Sequence, residues 1–192
     1  MTPAPAVSAR ERQNRYGHPG LVVWFTGLSG AGKTTLSTRL ERRLFDQGRL
    51  AYALDGDAVR AGLCRDLGFS ARDRRENVRR AGEVAGLLAN AGFIVLAAFI
   101  SPFRSEREAI RSTLPPGRFA EVFVNAPLAT CEGRDVKGLY QRARAQQLPE
   151  FTGISSPYEA PLSPDLELRT DREGIEACLE KLTALVEARL KL

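Results

Sequence analysis

The chain has 192 residues, 43% of them hydrophobic, and a formal net charge of +5. That length suits one domain with a sizeable core, and no apolar run reaches the ~18 residues that a membrane span needs. Cys64, Cys131 and Cys178 are odd in number and widely spaced, which argues against a disulfide framework or a zinc site.

The basic balance is almost all arginine, because Lys33, Lys137, Lys181 and Lys191 are the only lysines. The arginines are scattered, with no long basic run and no interleaved aromatics, so no nucleic-acid partner is expected. Guanidinium forks match the oxygens of a small phosphate- or sulfate-bearing anion at least as well. There is no charged-then-apolar signal layout at the N-terminus, and a cytoplasmic protein with reduced thiols is expected.

Residues 1–20 carry Pro3, Pro5 and Pro19 around a charged middle and are expected to be a mobile N-terminal arm; residues 21–192 are expected to form a single domain. His18, the only histidine, is expected at the surface before the Pro19-Gly20 turn rather than as a general base. Residues 21–26 are a short apolar, β-prone run. The stretch Gly27-Leu28-Ser29-Gly30-Ala31-Gly32-Lys33-Thr34 follows, then an amphipathic helical pattern to residue 45 with Gly48 as its stop. Residues 50–54 read as a second strand, ending in Asp55-Gly56-Asp57. Carboxylates there lie at the ligand edge of a parallel sheet, although an Asp-Gly turn has the same signature.

A long helix is expected over residues 73–91. Residues 93–100 are a continuous apolar run, as a central strand covered on both faces requires. It leads into Ser101-Pro102-Phe103-Arg104 and a helix to about residue 113. A fourth strand is expected at 119–124, helices near 128–133 and 138–146, and a Pro/Gly/Ser-rich loop through residue 164. A last short strand at 166–168 and a closing helix at 172–190 complete the pattern. Strands alternating with helices imply an α/β protein with a doubly wound, five-stranded parallel sheet and helices on both faces.

The stretch from Gly27 to Thr34 fits G-x-x-x-x-G-K-[ST] at every fixed position, between a strand and a helix as the chemistry demands. Glycines let the backbone N–H groups curl around phosphate oxygens at the positive end of the helix. Lys33 would reach the β- and γ-phosphates, and Thr34 would place its hydroxyl on Mg²⁺. The loop alone does not choose among kinase, switch GTPase and motor ATPase. No Asn-Lys-x-Asp stretch is present to read guanine, and the central run ends in Ile100-Ser101 rather than in carboxylates. A small-molecule kinase remains, with Arg60, Arg74, Arg79, Arg80, Arg104 and Arg107 after the strand ends to hold an anionic acceptor. A nucleoside, a nucleoside monophosphate or a sugar acid would suit such an enzyme. A nucleic-acid-associated ATP-binding module is the alternative from another class, and it predicts salt-sensitive binding to DNA or RNA.

Several further blocks resemble the adenylyl-sulfate kinase family. They are Phe25-Thr26 with the glycine loop through Thr35, Leu54-Asp55-Gly56-Asp57 with Arg60, Asp66-Leu67-Gly68-Phe69-Ser70, and Asp73-Arg74 with Glu76-Asn77. Ile100-Ser101-Pro102-Phe103-Arg104, Lys137-Gly138-Leu139-Tyr140, Phe151-Thr152-Gly153-Ile154 and Pro157-Tyr158-Glu159 complete the set. The resemblance implies a P-loop NTPase fold and transfer of phosphate from Mg²⁺·ATP to the 3′-hydroxyl of adenosine 5′-phosphosulfate, in sulfate assimilation. ATP would lie on Gly27, Leu28, Ser29, Gly30, Ala31, Gly32, Lys33, Thr34 and Thr35, with Thr34 and Asp57 near the metal. Asp57 would be the base or positioning group at the acceptor hydroxyl.

In the same resemblance Arg60, Arg74 and Asn77 would hold the phosphosulfate, Phe69 and Phe151 would sandwich its adenine, and Ile100 and Leu139 would line the site. Lys137 would add positive charge at the transferring phosphate, and residues 146–161 would form a mobile lid excluding water. Similar proteins are described with a phosphorylated serine at the position of Ser101. A serine hydroxyl without an adjacent base is a poor nucleophile, so direct in-line transfer is preferred, with Ser101 contacting substrate or capping a helix. A homodimer and an association with ATP sulfurylase are the implied partners.

Overall fold

The computed structural model describes residues 6–191. In chain order its first elements are α1 (Ala9–Tyr16), β1 (Leu21–Thr26), α2 (Lys33–Asp46), β2 (Ala51–Asp55), α3 (Gly56–Ala61) and α4 (Ala71–Asn90). There follow β3 (Ile94–Ala98), α5 (Arg104–Ser112), β4 (Phe119–Asn125), α6 (Leu128–Arg134), α7 (Leu139–Arg144), β5 (Leu166–Arg169) and α8 (Ile175–Leu190). The five strands form one sheet in the order β2-β3-β1-β4-β5, every neighbouring pair parallel.

Because successive strand side chains point to opposite faces, the two continuous apolar runs feed two cores at once. Leu21, Val23 and Phe25 of β1, with Ile94 and Leu96 of β3, pack on one face against Leu36, Leu40 and Leu44 of α2 and Leu179, Leu182 and Val186 of α8. Val22, Trp24, Val95 and Ala97 face the other side, against Val78, Ala81 and Ala85 of α4 and Ile110 of α5. The sheet is doubly wound, as expected. The chain steps outward from β1 to β2, returns to β3 and then crosses β1 to reach β4, so the C-terminal end of β1 lies at the switch point where ligands of open α/β sheets bind.

Helix boundaries follow local chemistry. Ser70 caps α4 by accepting from the N–H of Asp73 at 3.2 Å, which starts the long helix two residues before the expected position. Gly48 closes the turn after α2 at φ 74°, a conformation that glycine adopts without strain. Two expectations for the N-terminal segment need correcting. Residues 9–16 are a helix, started by Ser8 and Glu11 in a reciprocal capping box and ended by Gly17 at φ 74°; the first five residues lie outside the described ones. His18 is not at the surface but buried. Its Nε2 accepts from the N–H of Leu50 at 3.1 Å and its Nδ1 donates to the Pro19 carbonyl at 3.0 Å, so the ring satisfies backbone groups at the start of β2.

Candidate active site

Backbone geometry makes the phosphate loop. Gly27, Gly30 and Gly32 take φ of 149°, 75° and 105°, all in the region that L side chains avoid. A Cβ on Gly27 would sit 2.4 Å from the Val124 carbonyl oxygen, so β4 also forbids a side chain there. Neighbouring elements brace the loop from behind. The Tyr140 hydroxyl donates to the Ser29 carbonyl at 2.9 Å, the Thr170 hydroxyl to Ala31 at 2.8 Å and Arg134 to Gly30 at 3.1 Å. Thr170 and Arg134 are contributors that sequence reading missed, since each acts on a backbone atom and leaves no pattern; Tyr140 lay in a matching block but was given no role. Ala31 is buried, whereas Thr34 and Thr35 at the start of α2 face outward.

The Lys33 ammonium is buried and donates to the carbonyl oxygens of Gly27 at 2.9 Å and Leu28 at 2.7 Å. It is pushed down from its usual 10.5 to about 8, chiefly by burial with a contribution from the charge of Lys137, against the opposing influence of Cys131, Asp55 and Asp57. Four charged side chains from three segments of the chain therefore act on one spot at the mouth of the loop. The Thr34 hydroxyl donates to Asp55 Oδ2 at 2.8 Å, and Asp55 Oδ1 accepts from the N–H of Asp57 at 2.8 Å, capping α3. Asp55 is thus both turn former and part of the cluster, the two readings its place at the ligand edge left open. A hydroxyl and two carboxylates fit the hard-oxygen preference of Mg²⁺, which takes its remaining ligands from phosphates and water. Asp57 is paired with the ammonium of Lys137, and both side chains are exposed.

On the acceptor side, Arg60 of α3 donates to the Gly68 carbonyl at 3.0 Å and lies 4.5 Å from the exposed ring of Phe69. Arg74 and Asn77 are one helical turn apart on α4 and share a face. Arg74 reaches the loop over 146–161, donating to the Glu150 carbonyl at 2.5 Å, Thr152 Oγ1 at 3.3 Å and Ser156 Oγ at 3.2 Å. Its Nε and the Asn77 Nδ2 are buried with no hydrogen-bond partner. Two orphaned donors on one face, where an anionic acceptor is expected, are what a site built for added acceptor atoms shows. Glu106 on α5 has both carboxylate oxygens buried without a hydrogen-bond partner among the described residues, with the Arg75 guanidinium 3.7 Å from Oε1, and burial raises its pKa against the opposing charge of Arg75. Phe151 packs edge-on against Tyr140 at 5.1 Å between ring centres, and Leu139 begins α7 beside them.

Four of the six arginines expected at the acceptor are engaged elsewhere. Arg79 pairs with Glu76 and Glu83, and Arg80 with Glu76 and Asp66. Arg104 donates to the Ala160 carbonyl at 2.7 Å, and Arg107 is buried against Glu121. Ser101 is not a helix cap, because Phe103 occupies that position on α5. The Ser101 hydroxyl is buried and accepts from the Trp24 indole N–H at 3.0 Å, and the neighbouring Ile100 carbonyl accepts from the Thr26 hydroxyl at 2.8 Å.

Residues 19–169 match the family model described as Adenylylsulphate kinase. The chain belongs to the adenylyl-sulfate kinase family. It is 58% identical over 184 residues to the adenylyl-sulfate kinase of Yersinia pestis, covering 96% of this chain and 86% of that protein. The solved adenylyl-sulfate (APS) kinase of Mycobacterium tuberculosis in complex with AMPPNP and APS superposes with a TM-score of 0.84 at 46% identity, covering 88% of this chain and 99% of that one. A hexameric APS kinase from Thiobacillus denitrificans gives a TM-score of 0.68 at 31% identity, with 95% of this chain covering 32% of that one. The protein is therefore an enzyme of the kinase class, an adenylyl-sulfate kinase that uses ATP. No described helix is long and apolar enough to cross a membrane.

Proposed function

We propose that this adenylyl-sulfate kinase moves the γ-phosphate of Mg²⁺·ATP directly to the 3′-hydroxyl of adenosine 5′-phosphosulfate, giving 3′-phosphoadenylyl sulfate and ADP. The observation that carries the mechanism is the convergence of Lys33, Asp55, Asp57 and Lys137 at the mouth of the phosphate loop. Bound phosphate oxygens replace the Gly27 and Leu28 carbonyls as partners of Lys33. Thr34 and Asp57, with Asp55 behind them, would hold Mg²⁺, which would supply charge neutralisation for the phosphates.

Asp57 orients the acceptor hydroxyl and accepts its proton as the oxygen attacks phosphorus. Lys137 leaves the carboxylate to neutralise charge on the transferring group. Phosphoryl transfer is mostly alignment and charge stabilisation, so this constellation is sufficient without a covalent intermediate. Support for the direct route comes from Ser101, whose hydroxyl is buried against Trp24 with neither histidine nor carboxylate hydrogen-bonded to it. Arg60, with the orphaned donors of Arg74 and Asn77, takes the phosphosulfate. Phe69 and Phe151 stack on its adenine, worth ~1–3 kcal/mol per base. The exposure of the Phe69 ring, which has only the Arg60 guanidinium set against it, supports that role. Ile100 and Leu139 complete the lining, and a cytoplasmic homodimer associated with ATP sulfurylase is the setting we propose.

The test is ADP release with Mg²⁺·ATP, with and without adenosine 5′-phosphosulfate, beside Lys33→Ala. Strong stimulation that the variant loses is expected. Release indifferent to that acceptor but raised by another small molecule would overturn the proposed reaction.

A further inference from the structure

We infer that Arg107, which nothing in the reaction chemistry uses, is a positioning residue that locks the C-terminal root of the 146–161 loop to the acceptor-side turn after β3. The inference rests on the kinase reading above, in which that loop closes over the substrates. Arg107 is buried, 2% exposed, and each of its three nitrogens has a partner on a different segment. Nε donates to Glu121 Oε1 of β4 at 2.5 Å, Nη1 to the Ser101 carbonyl at 2.7 Å and Nη2 to the Glu159 carbonyl at 2.9 Å. A planar fork fixes three directions at once, which the single ammonium of a lysine does not.

The neighbouring contacts extend the lock to both strands that end at the site. Tyr158 lies under the guanidinium at 6.0 Å and is stacked on Phe123 at 6.0 Å. Its hydroxyl is 2.9 Å from Thr26 Oγ1, and Thr26 itself donates to the Ile100 carbonyl at 2.8 Å, so the tyrosine is the donor in that pair. Thr26 is the residue before Gly27, and the chain Tyr158–Thr26–Ile100 therefore bonds the loop root to the ends of β1 and β3 together. The Glu159 N–H donates to Pro102 at 2.8 Å, and its carboxylate accepts from the N–H of Arg104 at 2.9 Å. Ser101 sits at φ 39°, a backbone conformation that a serine holds only when its surroundings over-determine it; Arg107 on its carbonyl and Trp24 on its hydroxyl do so.

The far part of the loop is held differently. Its side-chain hydrogen bonds to other elements, at Glu150, Thr152 and Ser156, all come from Arg74, a residue assigned to the acceptor, while Phe151 and Ile154 rest on the core by apolar contact. One end is thus hydrogen-bonded into the sheet while the polar ties of the other depend on the substrate side. Loosening the built-in end lets water reach the γ-phosphate while both substrates remain bound. The side reaction is hydrolysis, ATP plus water giving ADP, phosphate and a proton, so its signature is ADP in excess of phosphorylated acceptor.

The experiment uses the full chain with Mg²⁺·ATP and adenosine 5′-phosphosulfate, counting ADP and 3′-phosphorylated product in the same reaction, for wild type, Arg107→Lys and Tyr158→Phe. Wild type is expected to give one ADP per product, and Arg107→Lys severalfold more ADP than product with KM for ATP within about twofold of wild type. A one-to-one ratio in Arg107→Lys, whatever its melting temperature, overturns the inference, because a merely structural role lowers stability without uncoupling the two products. If Arg107→Lys does not yield folded protein, Tyr158→Phe decides on the same ratio. Wild-type ADP release that ignores the acceptor would instead overturn the kinase reading itself.

Discussion

At the scale of single residues, Lys33 carries the sharpest expectation. Its ammonium is held at about 8 by burial, below the usual 10.5. Between those values the unfolded chain binds more protons than the folded one, so this group makes stability rise with pH across that window. Polyphosphate placed beside it favours the charged form, and nucleotide binding near pH 8.5 is expected to take up a proton. Calorimetry in two buffers of different ionisation enthalpy would read the uptake, and Lys33→Met should lose it. Asp57→Asn is expected to lower kcat by ~10²–10⁴ and to raise KM for Mg²⁺·ATP, measured by steady-state ADP release, since it removes both the proposed proton acceptor and a carboxylate proposed to hold the ion. Lys33 and Thr34 were legible because their spacing is itself the chemistry. Arg79, Arg80, Arg104 and Arg107 were not, because a guanidinium that meets a protein carboxylate or carbonyl and one that meets a ligand look alike until the fold says which oxygen is nearest.

Among elements, the strands and long helices were readable because β1 and β3 are covered on both faces and α2 and α4 on one, and those burials write distinct periods. The helix α1 was missed although Ser8 and Glu11 carry its capping signature, because it buries none of its residues and leaves no apolar stripe. It touches the rest of the chain at Gly92, where a Cβ would stand 2.7 Å from the Tyr16 ring at a φ of 104°. Gly92→Ala should therefore cost ~1–3 kcal/mol, and part of that cost should vanish in the Tyr16→Ala background, which a double-mutant cycle by denaturant unfolding would show. Additive effects would mean that α1 does not rest on the β3 approach. His18→Ala should cost ~1–3 kcal/mol by emptying a buried site and leaving the part-buried Leu50 N–H without its partner, read as a lower urea midpoint with unchanged slope.

For the whole molecule, the order β2-β3-β1-β4-β5 brings Lys33, Asp57, Ser101 and Lys137 to one edge although the chain separates them by up to 104 positions. Metal removal is the global test of that assembly. Excess chelator should abolish turnover and added Mg²⁺ restore it, because the carboxylates that replace water around the ion also repel the phosphates once it is gone. The same topology leaves one aromatic side chain in an unusual place. Trp24 is the only tryptophan, fully buried at the centre of the sheet, stacked on Phe99 at 5.1 Å and hydrogen-bonded through its indole to Ser101. The enzyme thus carries a single intrinsic fluorophore wired to the turn after β3, where the acceptor is proposed to bind. Its emission, without any label, should report each arrival and departure at that turn in real time.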